Sequence, residues 1–145
     1  MLESCRSARR LPNMLGLLSV ATHNLPELQA FYRQLLDAEP AVVLEGTYAE
    51  FRLAGLRLGL YRSSNPEFEP CLGATSICLQ VSDLDVVLER PVLQAVELSP
   101  LRSEFHGREV DCCDPDGNRI VIHEPSEEFW GLMDFDRKPV KSRLD

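Results

Sequence analysis

Asp114-Pro115-Asp116-Gly117-Asn118, running on into Arg119-Ile120-Val121-Ile122-His123, decides how this chain folds. Asp at the first corner, Pro at the second and Gly at the fourth are the residues of a type I turn, and a Gly free to take positive φ returns the chain as a bulged hairpin. Val110-Asp111-Cys112-Cys113 enters the turn and an alternating segment leaves it. The turn therefore joins two antiparallel strands, with faces legible from their period of two.

Outward from this hairpin, the chain repeats itself. Gly55-Leu56-Arg57-Leu58-Gly59-Leu60-Tyr61 aligns with Gly117-Asn118-Arg119-Ile120-Val121-Ile122-His123, and Val20-Ala21-Thr22-His23-Asn24-Leu25 aligns with Leu79-Gln80-Val81-Ser82-Asp83-Leu84. The two offsets differ by only three residues, so the match is ordered along the chain and marks an internal duplication. In the first copy, residues 15–22 read as a strand. Asn24-Leu25-Pro26-Glu27 then starts a helix, with Asn24 as N-cap, Pro26 in the first turn and Glu27 reaching back. Leu25, Leu28, Phe31, Tyr32, Leu35 and Leu36 form its apolar stripe, and it ends before Pro40. Strands are expected at 41–44, 47–53 and 56–61. In the second copy they fall at 75–81, 97–101, 108–113 and 119–123, with a helix capped by Ser82-Asp83 and broken by Pro91.

The 145 residues are 44% hydrophobic and 26% charged, as in a soluble globular domain. The expected organisation is a flexible leader (1–13), a single domain (14–125) made of module one (14–62), a linker (63–72) and module two (73–125), and a C-terminal tail (126–145), helical in part. A net charge of −8 argues against nucleic-acid binding. The lack of a long apolar run argues against a membrane span. With Arg6, Arg9 and Arg10 near the start and no secretory signal, the expected location is cytoplasmic. Five Cys without a C-x-x-C fit reduced thiols, and adjacent Cys112 and Cys113 are expected on opposite strand faces.

The tandem β-α-β-β-β pattern, the Asn24-Leu25 and Asp83-Leu84 helix starts, Phe31-Tyr32 in the first helix and the Asp114–Asn118 turn together resemble the vicinal oxygen chelate superfamily. Glyoxalase I, bleomycin resistance proteins, fosfomycin resistance enzymes and extradiol dioxygenases belong to it. The resemblance spans about residues 15–125 and implies an α+β fold, two tandem βαβββ modules forming a curved mixed sheet, a cup, with helices outside. It also implies pairing of modules within one chain or across a homodimer. In metal-dependent members, His and Glu enter the cup from the first and last strands of each module. By register those positions are Leu17, Gly59, Ser76 and Val121 here. Leu, Gly and Val offer no donor and Ser a poor one, so no metal ligand and no cofactor is expected.

What remains is a metal-independent cup for a small anionic or zwitterionic organic molecule, in the manner of bleomycin resistance proteins. If Leu58 and Ile120 face the helices, Arg57, Gly59, Tyr61, Arg119, Val121 and His123 face the cup. Ser76, Cys78 and Gln80 line it from the neighbouring strand, and Tyr48, Glu50 and Arg52 join them. Arg would clamp an anion and Tyr would stack on the ligand. His123 is the candidate general base or ligand contact. His106, in a polar loop, is a candidate cover for the cup mouth, and His23 reads as surface. Cys78 reads foremost as a small buried hydrophobe. Arg57 is either a clamp or the partner of Glu50 or Glu45. Two rivals stand beside this reading. One is a lyase, isomerase or dioxygenase-like enzyme with a non-standard or relocated metal site, or with chemistry kept without the usual metal, for which His123, Glu50 and Tyr61 are the candidate groups. The other is a protein-interaction module whose cup is filled by its own side chains and whose tail, Phe129 to Phe135, meets a partner.

Overall fold

The computed structural model describes residues 16–71, 73 and 75–129; the expectations for the leader and for the tail beyond residue 129 lie outside the described residues. Module one runs β1 (Leu18–Thr22), α1 (Leu25–Leu36), β2 (Val42–Leu44), β3 (Tyr48–Leu53) and β4 (Leu56–Arg62). Module two repeats it as β5 (Ser76–Gln80), α2 (Leu84–Leu88), α3 (Pro91–Gln94), β6 (Arg102–Glu104), β7 (Gly107–Cys113) and β8 (Arg119–Pro125). Each module has its own mixed four-stranded sheet, ordered β1-β4-β3-β2 and β5-β8-β7-β6. The first strand pairs in parallel with the last, and the registers coincide: Leu18 lies beside Leu58 as Ile77 lies beside Ile120. The duplication read from the sequence is thus a duplication of strand register.

Local chemistry sets the element ends. Asn24 Oδ1 accepts from the Glu27 amide at 3.2 Å while Asn24 Nδ2 donates to Glu27 Oε2 at 2.9 Å, which starts α1. Asp83 accepts from the Val86 amide in the same way, and Pro91 separates α2 from α3. The Leu84 amide is also held from outside its own helix, donating at 2.8 Å to Glu124 Oε2 on β8. One expectation is corrected. Residues 97–101 do not form a strand, and β6 instead starts at Arg102. The Ser99 amide still donates to the Asp111 carbonyl at 2.8 Å, but Pro100 has no N–H to extend a ladder.

The Asp114–Asn118 turn forms as expected, with the Gly117 amide donating to the Asp114 carbonyl at 2.9 Å and Gly117 at φ 84°. Asp114 is buried, and its carboxylate collects the amides of Asp116 and Asn118, the Asn118 side chain and, across the module boundary, the Tyr32 hydroxyl at 2.7 Å. This hydrogen bond, together with Arg90 donating to the Leu35 carbonyl and the packing of α1 on α3, joins the modules through their helical sides. The buried residues of both modules form one apolar cluster that includes Leu28, Tyr32, Phe51, Leu58, Leu93 and Ile120. Burying a side chain of this size contributes about 1.5–3 kcal/mol. The sheet faces turned away from the cluster carry the polar residues. Among the described residues no helix is long and apolar enough to cross a membrane.

Candidate functional site

Strand register decides which side chains share the face away from the core. In module one, Gly59 lies beside Glu50, Tyr61 beside Tyr48 and Arg57 beside Arg52. In module two, Gln80, His123, Glu109 and Arg102 make one row across all four strands, and Cys78, Val121 and Asp111 make the next. The duplication therefore superposes Tyr48 on Glu109, Glu50 on Asp111, Arg57 on Arg119, Gly59 on Val121 and Tyr61 on His123. Each half has kept an acid beside an arginine: Arg57 donates to Glu50 Oε2 at 3.1 Å, and Arg119 pairs with Asp111. Around that shared pair the two faces have diverged.

Module one's face is closed by its own side chains. Glu50 is buried and accepts from Arg52 Nε at 2.8 Å, the Tyr48 hydroxyl at 2.9 Å and Arg57. Hydrogen bonds from Arg52 and then Tyr48, with a smaller share from Arg57, hold its carboxyl down at about 2. The Tyr48 ring lies over Gly59, where a Cβ would stand 2.8 Å from the phenol oxygen. Tyr61 packs edge-on against Phe68 of the inter-module loop. Of the two roles open to Arg57, the ion pair with Glu50 is the one formed.

Module two's face is open. His123 is buried at the floor of a cavity of about 240 Å³, which Cys78, Gln80, Glu109 and Val121 also line, with Phe105 and Phe129 at its sides. His123 Nδ1 lies 2.6 Å from Gln80 Oε1, so it carries the proton and donates; His123 Nε2 then faces His106 Nδ1 at 2.8 Å. Burial, and then the neighbouring His106, lower the His123 pKa below the ordinary imidazole value. Phe129 meets the His123 ring edge-on with centroids 5.5 Å apart and the His106 ring at 5.9 Å. Glu109 accepts from Arg102 Nε at 3.2 Å, while Arg102 also donates to Asp111 at 2.7 Å.

His106 reaches this cavity because Gly107 permits it. Gly107 has φ 139°, and a Cβ there would stand 2.1 Å from the Glu124 carbonyl oxygen and 3.0 Å from His123 Nε2. The β6–β7 turn can therefore fold down onto β8, and the Ser126 amide fastens it by donating to the His106 carbonyl at 2.9 Å. A larger groove of about 320 Å³ lies between α1 and α3, near Gln34, Asp37 and Arg90. The titratable and aromatic side chains converge instead on the second-module cavity.

The residues singled out from sequence are thus divided by the fold. Cys78, Gln80 and His123 come together in the cavity. Ser76 and Arg119 share its sheet face one to two rows away. Tyr48, Glu50, Arg52 and Arg57 form the separate cluster on module one, and Tyr61 turns to Phe68. Cys78 is exposed rather than a buried hydrophobe, because the Cys78–Val121–Asp111 row faces away from the core. Cys112 is buried and Cys113 exposed, on opposite faces as expected. His23 is exposed and meets Glu69 at 2.6 Å. Sequence reading missed Glu109 and Phe105, and named Phe129 only as part of an aromatic tail, not as a wall of the cavity. Alternation along residues 108–113 carried the signal for Glu109; nothing local carried it for Phe129.

The positions that the family resemblance matched to cation ligands do not fit one here. Leu17 is exposed and apolar, Gly59 lies under Tyr48, and Val121 presents only methyl groups to the cavity. The leading sequence reading named no metal ligand and its enzyme rival named His123 with Glu50 and Tyr61; the fold gathers His123 instead with His106 and Glu109, their ligand atoms within 4.8 Å of one another.

No protein-family model matches the chain, and no curated protein sequence does. Among solved structures, a glyoxalase/bleomycin resistance protein from Catenulispora acidiphila is 31% identical over 76% of this chain and 96% of its own, with a TM-score of 0.60. The chain belongs to the glyoxalase/bleomycin resistance family. Within the same vicinal oxygen chelate superfamily, the genomically encoded fosfomycin resistance protein of Listeria monocytogenes is 19% identical over 85% of this chain and 99% of its own, with a TM-score of 0.64. Lactoylglutathione lyase from Agrobacterium tumefaciens is 20% identical over 83% of this chain and 98% of its own, with a TM-score of 0.62. These last two share the fold. In this glyoxalase/bleomycin resistance protein the first module's face is closed and the second is open.

Proposed function

We propose that the protein binds a small zwitterionic organic molecule in the cup of its second module, independently of any cation at the family's usual positions. The observation that carries this reading is the cavity of about 240 Å³ with His123 and Glu109 between Phe105 and Phe129. Ligand sites combine an apolar lining with a few fixed polar groups, and their usual volumes of about 300–1,000 Å³ make this a seat for a small molecule. Glu109 suits an ammonium group, the two Phe rings an apolar body. Arg119, half exposed and engaged with Asp111 through one Nη, has further N–H donors for a carboxylate. A purely anionic ligand has less support, since Arg52, Arg57, Arg102 and Arg119 all have acidic partners. A fosfomycin resistance relative has been captured with Mn(II) and dihydroxypropylphosphonic acid, so small organic acids are bound on this fold.

The reading extends to a cytoplasmic homodimer in which a second copy covers the open faces. The rival of a filled, partner-binding cup suits module one's face alone. An enzyme of lyase, isomerase or dioxygenase type is favoured by one feature, the His106–Glu109–His123 cluster. Native mass spectrometry of the purified protein, followed by thermal-shift assays against a panel of small amino acids and betaines, tests the lead. The expected result is an organic adduct lost on denaturation, or a stabilising panel member whose effect falls at least about tenfold in affinity with Glu109→Gln, the scale of a hydrogen bond to a charged group. No adduct and no stabilising compound would sink it. Light scattering on the same sample reads the oligomeric state, and a monomer at working concentration would remove the dimer.

A further inference from the structure

His106, Glu109 and His123 come from a hairpin turn, from β7 and from β8, yet their donor atoms lie within 4.8 Å of one another beside an open cavity. Each is oriented from behind. His123 Nδ1 is tied to Gln80 Oε1 at 2.6 Å, which leaves Nε2 as a lone-pair donor aimed at His106. Glu109 is held by Arg102 Nε at 3.2 Å through one carboxylate oxygen, which leaves the other available. His106 is half-buried in a two-residue turn fastened by the Ser126 amide. A ring nitrogen bonded to an amide oxygen on the far side, and a carboxylate fixed by a cation, are the outer contacts that metal-binding side chains carry.

We propose that His106, Glu109 and His123 form a binding site for a divalent first-row transition metal, with zinc as the reference ion. Two imidazoles and one carboxylate make a nitrogen-rich set that suits zinc, cobalt or iron(II) and disfavours calcium and magnesium, which take oxygen ligands. Three protein ligands leave a fourth position open toward the cavity, where water or a ligand oxygen would complete a tetrahedron. The imidazole nitrogens now stand 2.8 Å apart. Metal–nitrogen bonds of about 2.0–2.1 Å in a tetrahedron need about 3.3 Å between them. A small rotation of His106 on its turn supplies the difference, and its proton moves from Nδ1 to Nε2 as the ion enters.

The site is displaced from the family's own. Val121 occupies the last-strand position, and His123 stands two residues further along β8 on the same face, one pleat nearer the strand end. The paired position on module one, Tyr61, has no matching donors, so the site belongs to the second module alone. It goes beyond the ligand-binding reading and does not rest on it: the free Glu109 oxygen takes either the ion or a ligand's ammonium group, and each is titrated without the other.

The test uses the full chain without a polyhistidine tag, stripped with chelator and titrated with zinc(II) by calorimetry and with cobalt(II) by visible absorption. One ion per chain is expected, with tetrahedral cobalt bands. Zinc should also shift the imidazole ¹⁵N resonances of His106 Nδ1 and His123 Nε2. Gln80→Ala should weaken binding about 10–100-fold, and His106→Gln and Glu109→Gln by more than that, while His23→Gln, at an exposed site outside the cavity, leaves it unchanged. His106→Gln and Glu109→Gln alter half-buried groups, and circular dichroism of the metal-free variants confirms folding. Absence of zinc and cobalt binding, or binding that survives both variants, overturns the proposal. The ¹⁵N measurement on the unmodified protein decides it even where a variant fails to fold. Failure here leaves the organic adduct untouched, and loss of the adduct leaves the metal titration untouched.

Discussion

Two glycines with close neighbours show what a single missing Cβ decides. At Gly107 the obstruction is backbone, the Glu124 carbonyl oxygen, and φ is 139°. Neither can give way cheaply, so Gly107→Ala should cost at least about 2–3 kcal/mol. At Gly59 the obstruction is the far end of Tyr48, which can swing aside at the loss of its hydrogen bond to Glu50, and Gly59→Ala should cost about 1 kcal/mol. Urea melts of both variants check the order; equal losses would mean that Gly107 is not the tight point of the β6–β7 turn. The same residues mark what the sequence could and could not disclose. His123 was legible as a cup residue from the alternation of Arg119–His123. His106 was legible as a polar loop residue and a candidate cover for the cup mouth, but its pairing with His123 was not, because that depends on a backbone contact between segments that are 17 residues apart.

Strands β3 and β4 carry a charge network whose behaviour with pH is set by its geometry. Glu50 is held at about 2 against an ordinary value of 4.5, chiefly by the hydrogen bonds from Arg52 and Tyr48. A carboxyl with a depressed native pKa contributes stability that is full above its unfolded value and vanishes as pH falls through the native one. Wild type should therefore exceed Glu50→Gln in stability at neutral pH. The gap should close between about pH 4.5 and 2, as thermal melts across that range will record. A gap independent of pH would show that the network acts through packing instead. At this scale most elements were readable, since caps, prolines and period-two runs are local. The exception is β6: apolar alternation points to 97–101, whereas the missing amide of Pro100 keeps a ladder from forming there.

Across the whole molecule, one buried hydrogen bond spans the boundary between the copies. Tyr32, fully buried on α1, donates to Asp114 at the hairpin turn of module two, and the apolar cluster continues through both modules. Burial, and then the Asp114 carboxylate, push the Tyr32 hydroxyl far above its usual pKa. Tyr32→Phe removes a hydrogen bond to a charged acceptor, so a loss of about 1.5–3 kcal/mol is expected. Unfolding should remain a single calorimetric transition with coincident probes. Two separate transitions would show that the modules fold independently. The duplicated architecture was legible because the repeat kept its order; the asymmetry of the two faces was not, since Tyr48 and Glu109 look equally suited to a cup until their neighbours are known.

Glu124 ties this asymmetry to a signal that can be followed without any ligand. Its carboxylate accepts the Leu84 amide at the start of α2 and pairs with Arg108, while its backbone lies against Gly107 and comes directly after His123. Deuterium reaches the Leu84 amide when its hydrogen bond to the Glu124 carboxylate, which ties α2 to β8, breaks. The exchange rate of that one proton therefore clocks how often the floor of the second cup opens, and a tighter floor will slow it whatever has filled the cup.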